Sequence, residues 1–228
     1  MAQKATIYKV ELSVSDMDRH YYETHKLTVA KHPSETDERL MVRLIAFALN
    51  AREQLEFSRG LSTDDEPDLW EKSLSGEIEL WVTLGLPSEK IVRQSCGKAK
   101  EVIIYSYGGR TAEIWWDKIK NSTTRFENLK VINLAEAETN ELARQANRSM
   151  KLQVNVQEGD LMVSFDDSIV YVDPITWKIT VVNPSLLAPF PTTHSVYSAD
   201  NPSHTPARHL RSSNLLFGQQ YQMGIEPI

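Results

Sequence analysis

Residues 78–84 alternate without a break: Ile78, Leu80, Val82 and Leu84 fall on one side of an extended chain, Glu79, Trp81 and Thr83 on the other. Successive side chains of a strand point to opposite faces, so one face of this segment is apolar and meets a core. Its second face then carries a carboxylate and an indole side by side. Eleven positions before Glu79 stands Asp68, which closes the acidic run Asp64-Asp65-Glu66-Pro67-Asp68. Any fold for this chain must place that run and that strand face.

A Pro-Asp acid followed by Glu-x-Lys on a strand is a pattern used by many metal-dependent nucleases. Two acids hold a hard divalent cation through oxygen ligands, and the lysine stabilises charge or orients the attacking water. Here the lysine position is Trp81, so the pattern is nuclease-like in its carboxylates and broken at its cation. Asp68 and Glu79 make a candidate Mg or Mn pair. Asp65 and Glu66 flank it. The helix opened by Pro87-Ser88 carries Lys90, Gln94 and Lys98 on one face at four-residue spacing, a candidate source for the missing cation. A plainer reading stands beside each of these. The acids before the strand are solvated loop charge, and Lys90 and Lys98 are exposed charges of an amphipathic helix. A carboxylate on a sheet face needs a metal or an arginine, and Arg43 is the alternative partner for Glu79.

With 228 residues the chain suits one domain of ordinary size with a decoration. A net charge of −6 works against nucleic-acid affinity, which rests on clustered Lys and Arg. Cys96 is the single cysteine, which excludes an internal disulfide and a Cys-based metal cage. The first residues lack the apolar core of a signal peptide, and Pro184, Pro189 and Pro191 interrupt the uncharged stretch 179–199. A cytoplasmic protein without a membrane span is the expectation.

Tyr8, Val10, Leu12 and Val14 alternate with Lys9, Glu11 and Ser13, which predicts a half-buried antiparallel strand returning over Tyr21–Ala30. Ser34 is the expected N-cap of the first helix, with Leu40, Met41, Leu44, Ile45 and Ala48 as its buried stripe. Residues 57–74 read as irregular. A third helix holds Ala112, Trp115, Trp116 and Ile119, and strands are expected over 129–134 and through 150–182. From residue 183 the composition changes: six of the ten prolines lie there, with no lysine and no tryptophan. The expected division is a domain over 1–182 and a poorly ordered, Pro-rich extension over 183–228, which lacks a periodic apolar pattern to offset chain entropy.

The residues beginning Ala5-Thr6-Ile7-Tyr8, then His32-Pro33-Ser34-Glu35-Thr36, Asp64-Asp65-Glu66-Pro67, Leu84-Gly85-Leu86-Pro87 and Ile114-Trp115-Trp116, resemble the bacterial YaeQ family over residues 2–180. The resemblance implies an α/β fold, a variation of the PD-(D/E)XK nuclease-like fold with a mixed sheet flanked by helices and an additional antiparallel β layer. It implies no biochemical activity, although a link to transcription elongation has been proposed for the family. Two functions stay open. One is a Mg- or Mn-dependent nucleic-acid phosphodiesterase using Glu38, Asp68, Glu79 and a lysine of the second helix. The other is a non-catalytic module that kept the fold and binds a protein or nucleic-acid partner beside Trp81.

Overall fold

The structure, a computed structural model, describes residues 5–58 and 66–180, all within one structural unit that spans Met1–Leu187. Asp64, Asp65, the expected boundary at 182 and the Pro-rich extension lie outside the described residues.

The chain opens with two 11-residue strands, β1 (Thr6–Asp16) and β2 (Tyr21–Lys31), paired antiparallel. α1 (Asp37–Asn50), β3 (Leu55–Phe57), β4 (Leu69–Lys72) and β5 (Ile78–Leu84) follow. Then come α2 (Glu89–Lys98), β6 (Ala99–Ser106), α3 (Arg110–Thr123), β7 (Leu129–Asn133) and α4 (Glu136–Arg144). β8 (Ser149–Gln157), β9 (Asp160–Ser164), β10 (Ile169–Val172) and β11 (Ile175–Lys178) end the described chain. Residues 57–74, expected to be irregular, thus contribute β4 and the end of β3, two short strands that join β5.

Two mixed sheets result. One runs β10-β9-β8-β1-β2, the other β11-β7-β6-β5-β4-β3. The added layer was expected to be antiparallel, but β1 lies parallel to β8, from Lys9 opposite Ser149 to Asp16 opposite Val156. The correction has a topological cause. The chain returns to β1 only after crossing from the other sheet through α4, and a strand delivered by such a crossover can enter parallel.

α1 sits between the sheets. Val42, Ala46 and Phe47 are buried as well as the predicted stripe, so apolar side chains cover nearly its whole circumference. A helix apolar all round needs cover on every side, and α1 receives it from the inner faces of both sheets. Its N-cap is Thr36, not Ser34: the Thr36 hydroxyl accepts from Arg39 N at 3.1 Å. No basic residue lies in its last turn, so Arg19, from the β1–β2 turn, donates to the carbonyls of Ala48 and Ala51 while its Nε binds the buried Asp16 at 2.7 Å.

β5 and β6 are apolar on both faces. Leu80, Val82, Leu84, Ile103 and Tyr105 meet the α1 side; Trp81, Val102 and Ile104 meet a second core with Val92 of α2 and Ile119 of α3. Trp81 was expected to line a cleft. It is 3% exposed, its indole N–H donating to Thr83 Oγ1 at 2.9 Å, because α2 and α3 cover the face it shares with Glu79.

Gly109 N-caps α3 with φ 55° and ψ −126°, a conformation that side chains resist, and a Cβ there would lie 2.2 Å from Glu136 Oε2 and 3.3 Å from Glu136 Cβ. Gly109→Ala is expected to cost about 1–3 kcal/mol. Urea unfolding checks this through a lower midpoint at unchanged slope, and an unshifted midpoint would contradict the packing described.

Candidate functional site

The sequence-derived carboxylates do not meet. Asp68 precedes β4, its N–H bonded to Val82 O at 2.9 Å. Its Oδ2 accepts from Leu84 N at 2.8 Å and its Oδ1 from Arg39 Nη2 at 2.7 Å, with the side chain only 10% exposed. Arg39 also donates to Leu84 O at 3.2 Å. Both oxygens of Asp68 are therefore committed to holding α1 against the end of β5. Glu38, one residue earlier on α1, accepts from Thr139 Oγ1 of α4 at 2.6 Å. Glu79 lies at the other end of β5, five residues before Leu84, or roughly 16 Å along a strand. It pairs with Lys100 of the parallel neighbour β6 at 2.7 Å.

Glu66 is half-buried, whereas Lys90, Gln94 and Lys98 are exposed on α2. Of these only Lys98 approaches the expected place, its Nζ 5.6 Å from the centre of the Trp81 ring. Among the described residues no three His, Cys, Asp or Glu side chains converge to hold a metal ion. Glu38, Asp68 and Glu79 as arranged do not fit a shared Mg or Mn ion.

Arg43 does not reach Glu79 either. Its Nη2 binds Glu35 Oε2 at 3.1 Å and Ala30 O at 3.0 Å, and both side chains of this pair are nearly inaccessible. Burial pushes the Glu35 carboxyl up, against the pull of Arg43, and burial likewise draws the Arg43 guanidinium down against Glu35 and Asp68. For Arg39 burial acts downward too, but Asp68 and then Tyr107 outweigh it and raise the pKa. Tyr107, just beyond β6, is raised by its burial in spite of Arg39. The result is a compact electrostatic seam of Glu35, Arg39, Arg43 and Asp68 with balanced charge. It locks the loop before α1, α1 itself and the start of β4 together. Chemically it is a clamp, since its acids face guanidinium groups.

The other polar region of note is the outer face of the five-stranded sheet. The pairing registers carry one row across all five strands: Tyr171, Met162, Asn155, Ser15 and Tyr22. The adjoining row runs Ile169, Ser164, Gln153, Ser13 and Thr24, with Ser13 and Thr24 hydroxyls 2.9 Å apart. A third carries Lys151, Glu11 and Lys26. Tyr171 is 68% exposed and Tyr22 62%. None of these residues was singled out as a site from the sequence. The alternation of β1 made the solvent face visible, but not that five strands would assemble it into one surface.

Residues 1–174 match the family model described as YaeQ protein. The chain belongs to the YaeQ family. It is 40% identical over 178 residues to the uncharacterized protein YaeQ of Escherichia coli (strain K12), covering 78% of this chain and 98% of that protein. The Salmonella typhi counterpart is 39% identical over the same length. Among solved structures, YaeQ protein from Xanthomonas axonopodis pv. citri superposes with a TM-score of 0.75 at 47% identity, over 76% of this chain and 98% of that one. YaeQ protein from Pseudomonas syringae gives 0.74 at 34% identity, over 77% and 97%. The two-sheet α/β architecture is thus shared with crystallised YaeQ proteins. No helix among the described residues is long and apolar enough to cross a membrane.

The Glu35–Arg43 pair yields a direct test. Removing one buried partner leaves the other uncompensated, so Glu35→Ala and Arg43→Ala are each expected to destabilise the domain by about 3–5 kcal/mol. The double replacement Glu35→Leu with Arg43→Met is expected to recover most of that loss. Thermal or urea unfolding of the three variants decides it, and additive effects would show that the pair is not coupled.

Proposed function

We propose that this YaeQ chain is a non-catalytic protein-binding module on a nuclease-like framework, engaging its partner through the outer face of the five-stranded sheet. The observation that carries this reading is the make-up of that face. Its rows are half-buried to exposed, and they present two tyrosines at opposite ends of a field of Ser, Thr, Asn and Gln side chains. Tyrosine supplies large contact area at low entropic cost and short polar side chains adapt their hydrogen bonds, which is the composition of protein-binding paratopes. Lys9, Lys26 and Lys151 are partly offset on the same face by Glu11 and Asp160, so it lacks the clustered positive charge that nucleic acid demands.

The succession α1, then Asp68 just before β4, then β5 with Glu79, follows the nuclease-like order and supports a PD-(D/E)XK-derived framework. The chemistry of that framework is not supported: Asp68 is bound by Arg39, and the lysine position is a buried tryptophan.

Two measurements test the reading. Calorimetric titration with Mn2+ is expected to give no specific heat, with no cleavage of single- or double-stranded DNA or RNA. Mn-dependent cleavage lost in Asp68→Ala or Glu79→Ala would restore the nuclease reading. A photo-crosslinking residue at position 22 or 171 is expected to capture a discrete protein in cells, whereas position 74, 97% exposed on the β4–β5 turn, captures none. Gln153→Arg on the same face should suppress that adduct at unchanged melting temperature. Adducts to nucleic acid instead of protein would overturn the proposal.

A further inference from the structure

One end of the uncovered face is sculpted. The β8–β9 turn, Glu158-Gly159, has positive φ at both residues, and the Asp18 carboxylate accepts from both of their N–H groups at 2.8 and 2.9 Å. Met17 N donates to Val156 O at 3.0 Å, so the β1–β2 turn is fastened to the same hairpin. Beside this fixed corner lies an open recess of about 620 Å3, its apolar surface supplied chiefly by Met17, Met162 and Tyr171. Met17 is 46% exposed although it lies against a rigid turn. Among the described residues, the charged side chains lining the recess are Glu158 and Asp160, with no lysine or arginine.

We propose that this recess binds a short peptide segment of a partner protein in which an aliphatic side chain is flanked by lysine or arginine. This inference rests on the sheet-face reading and names the partner's chemistry. The methionines present flexible, polarisable surface that adapts to an inserted aliphatic side chain, and Tyr171 supplies a flat wall. Two carboxylates without a basic neighbour in the recess select a cationic flank and reject an acidic one. A recess of this volume accommodates one or two large side chains. A second copy of the chain is a poor occupant, since its net charge of −6 repels another acidic surface.

The experiment uses the full chain with isotope-labelled methionine methyl groups and backbone amides. Met17 and Met162 report on the recess, and the buried Met41 serves as the control. The probes are three capped peptides of sequence KLRLK, ELELE and KSRSK. KLRLK is expected to shift the Met17 and Met162 methyl signals in a saturable manner, with ELELE and KSRSK at least about tenfold weaker. Glu158→Gln with Asp160→Asn should weaken KLRLK by about fivefold or more at unchanged melting temperature, and raised salt should do the same to the wild type. Tyr171→Ala should weaken it as well, without altering Met41.

Equal response to ELELE, or loss of response only in variants that also unfold, would overturn the proposal. Peptide-induced shifts confined to Thr24 and Lys26 amides would move the site to the opposite end of the sheet, sinking the recess while leaving the sheet-face reading intact. No response anywhere on the face, together with absent crosslinks at positions 22 and 171, would sink both.

Discussion

α1 has no solvent face to spare. Packed between two sheets, it must find partners within the protein for the charged groups it buries, and most of the polar geometry described above follows from that requirement. Arg43 finds Glu35, Arg39 finds Asp68, Glu38 finds Thr139, and the helix termini find Thr36 and Arg19. A buried guanidinium without a partner would cost more than the apolar packing around it could easily offset, so these pairings are obligatory once the helix is enclosed. Asp68 is drawn into the same network. Its carboxylate is the anchor between a helix and a strand.

This arrangement moves the interest of the molecule from the interior to the outside. The Leu84 end of β5 is closed by the Asp68–Arg39 pair, and the second face of β5 is closed by α2 and α3 over Trp81. The five-stranded sheet, by contrast, uses only its inner face for packing. Its outer face is under no constraint from the core, which leaves its composition open to selection for recognition. Ser13, Gln153 and Asn155 stabilise nothing in the core that a lysine or glutamate there would not, and Tyr22 and Tyr171 expose apolar surface at no benefit to folding.

Much of the architecture was legible in the residues. The alternation of β1 and β5 and the apolar stripe of α1 gave faces that the structure keeps, because burial and period are local properties. The N-cap was misplaced by two residues because Ser34 beside Pro33 is the stronger local signal, while His32 and Glu35 hold that segment outside the helix. Partners were not legible. On sequence grounds Arg43 is a partner for Glu79, yet it meets Glu35 instead, because side-chain reach is decided by how α1 sits between two sheets, which no local pattern records. Trp81 illustrates the same limit: alternation placed it correctly opposite Leu80, yet an indole suits a cleft and a core equally, and only the docking of α2 and α3 decided between them.

The parallel pairing of β1 with β8 sets an order in time. More than 130 residues separate Lys9 from Ser149, so the emerging hairpin of β1 and β2 must wait until nearly all of the described chain has left the ribosome before its central strand gains its second neighbour. Through that interval one long strand edge of β1 is open to pairing with other chains. The lysines and glutamate on its other face keep that waiting hairpin soluble, so the face proposed here for recognition first serves as a shield during synthesis.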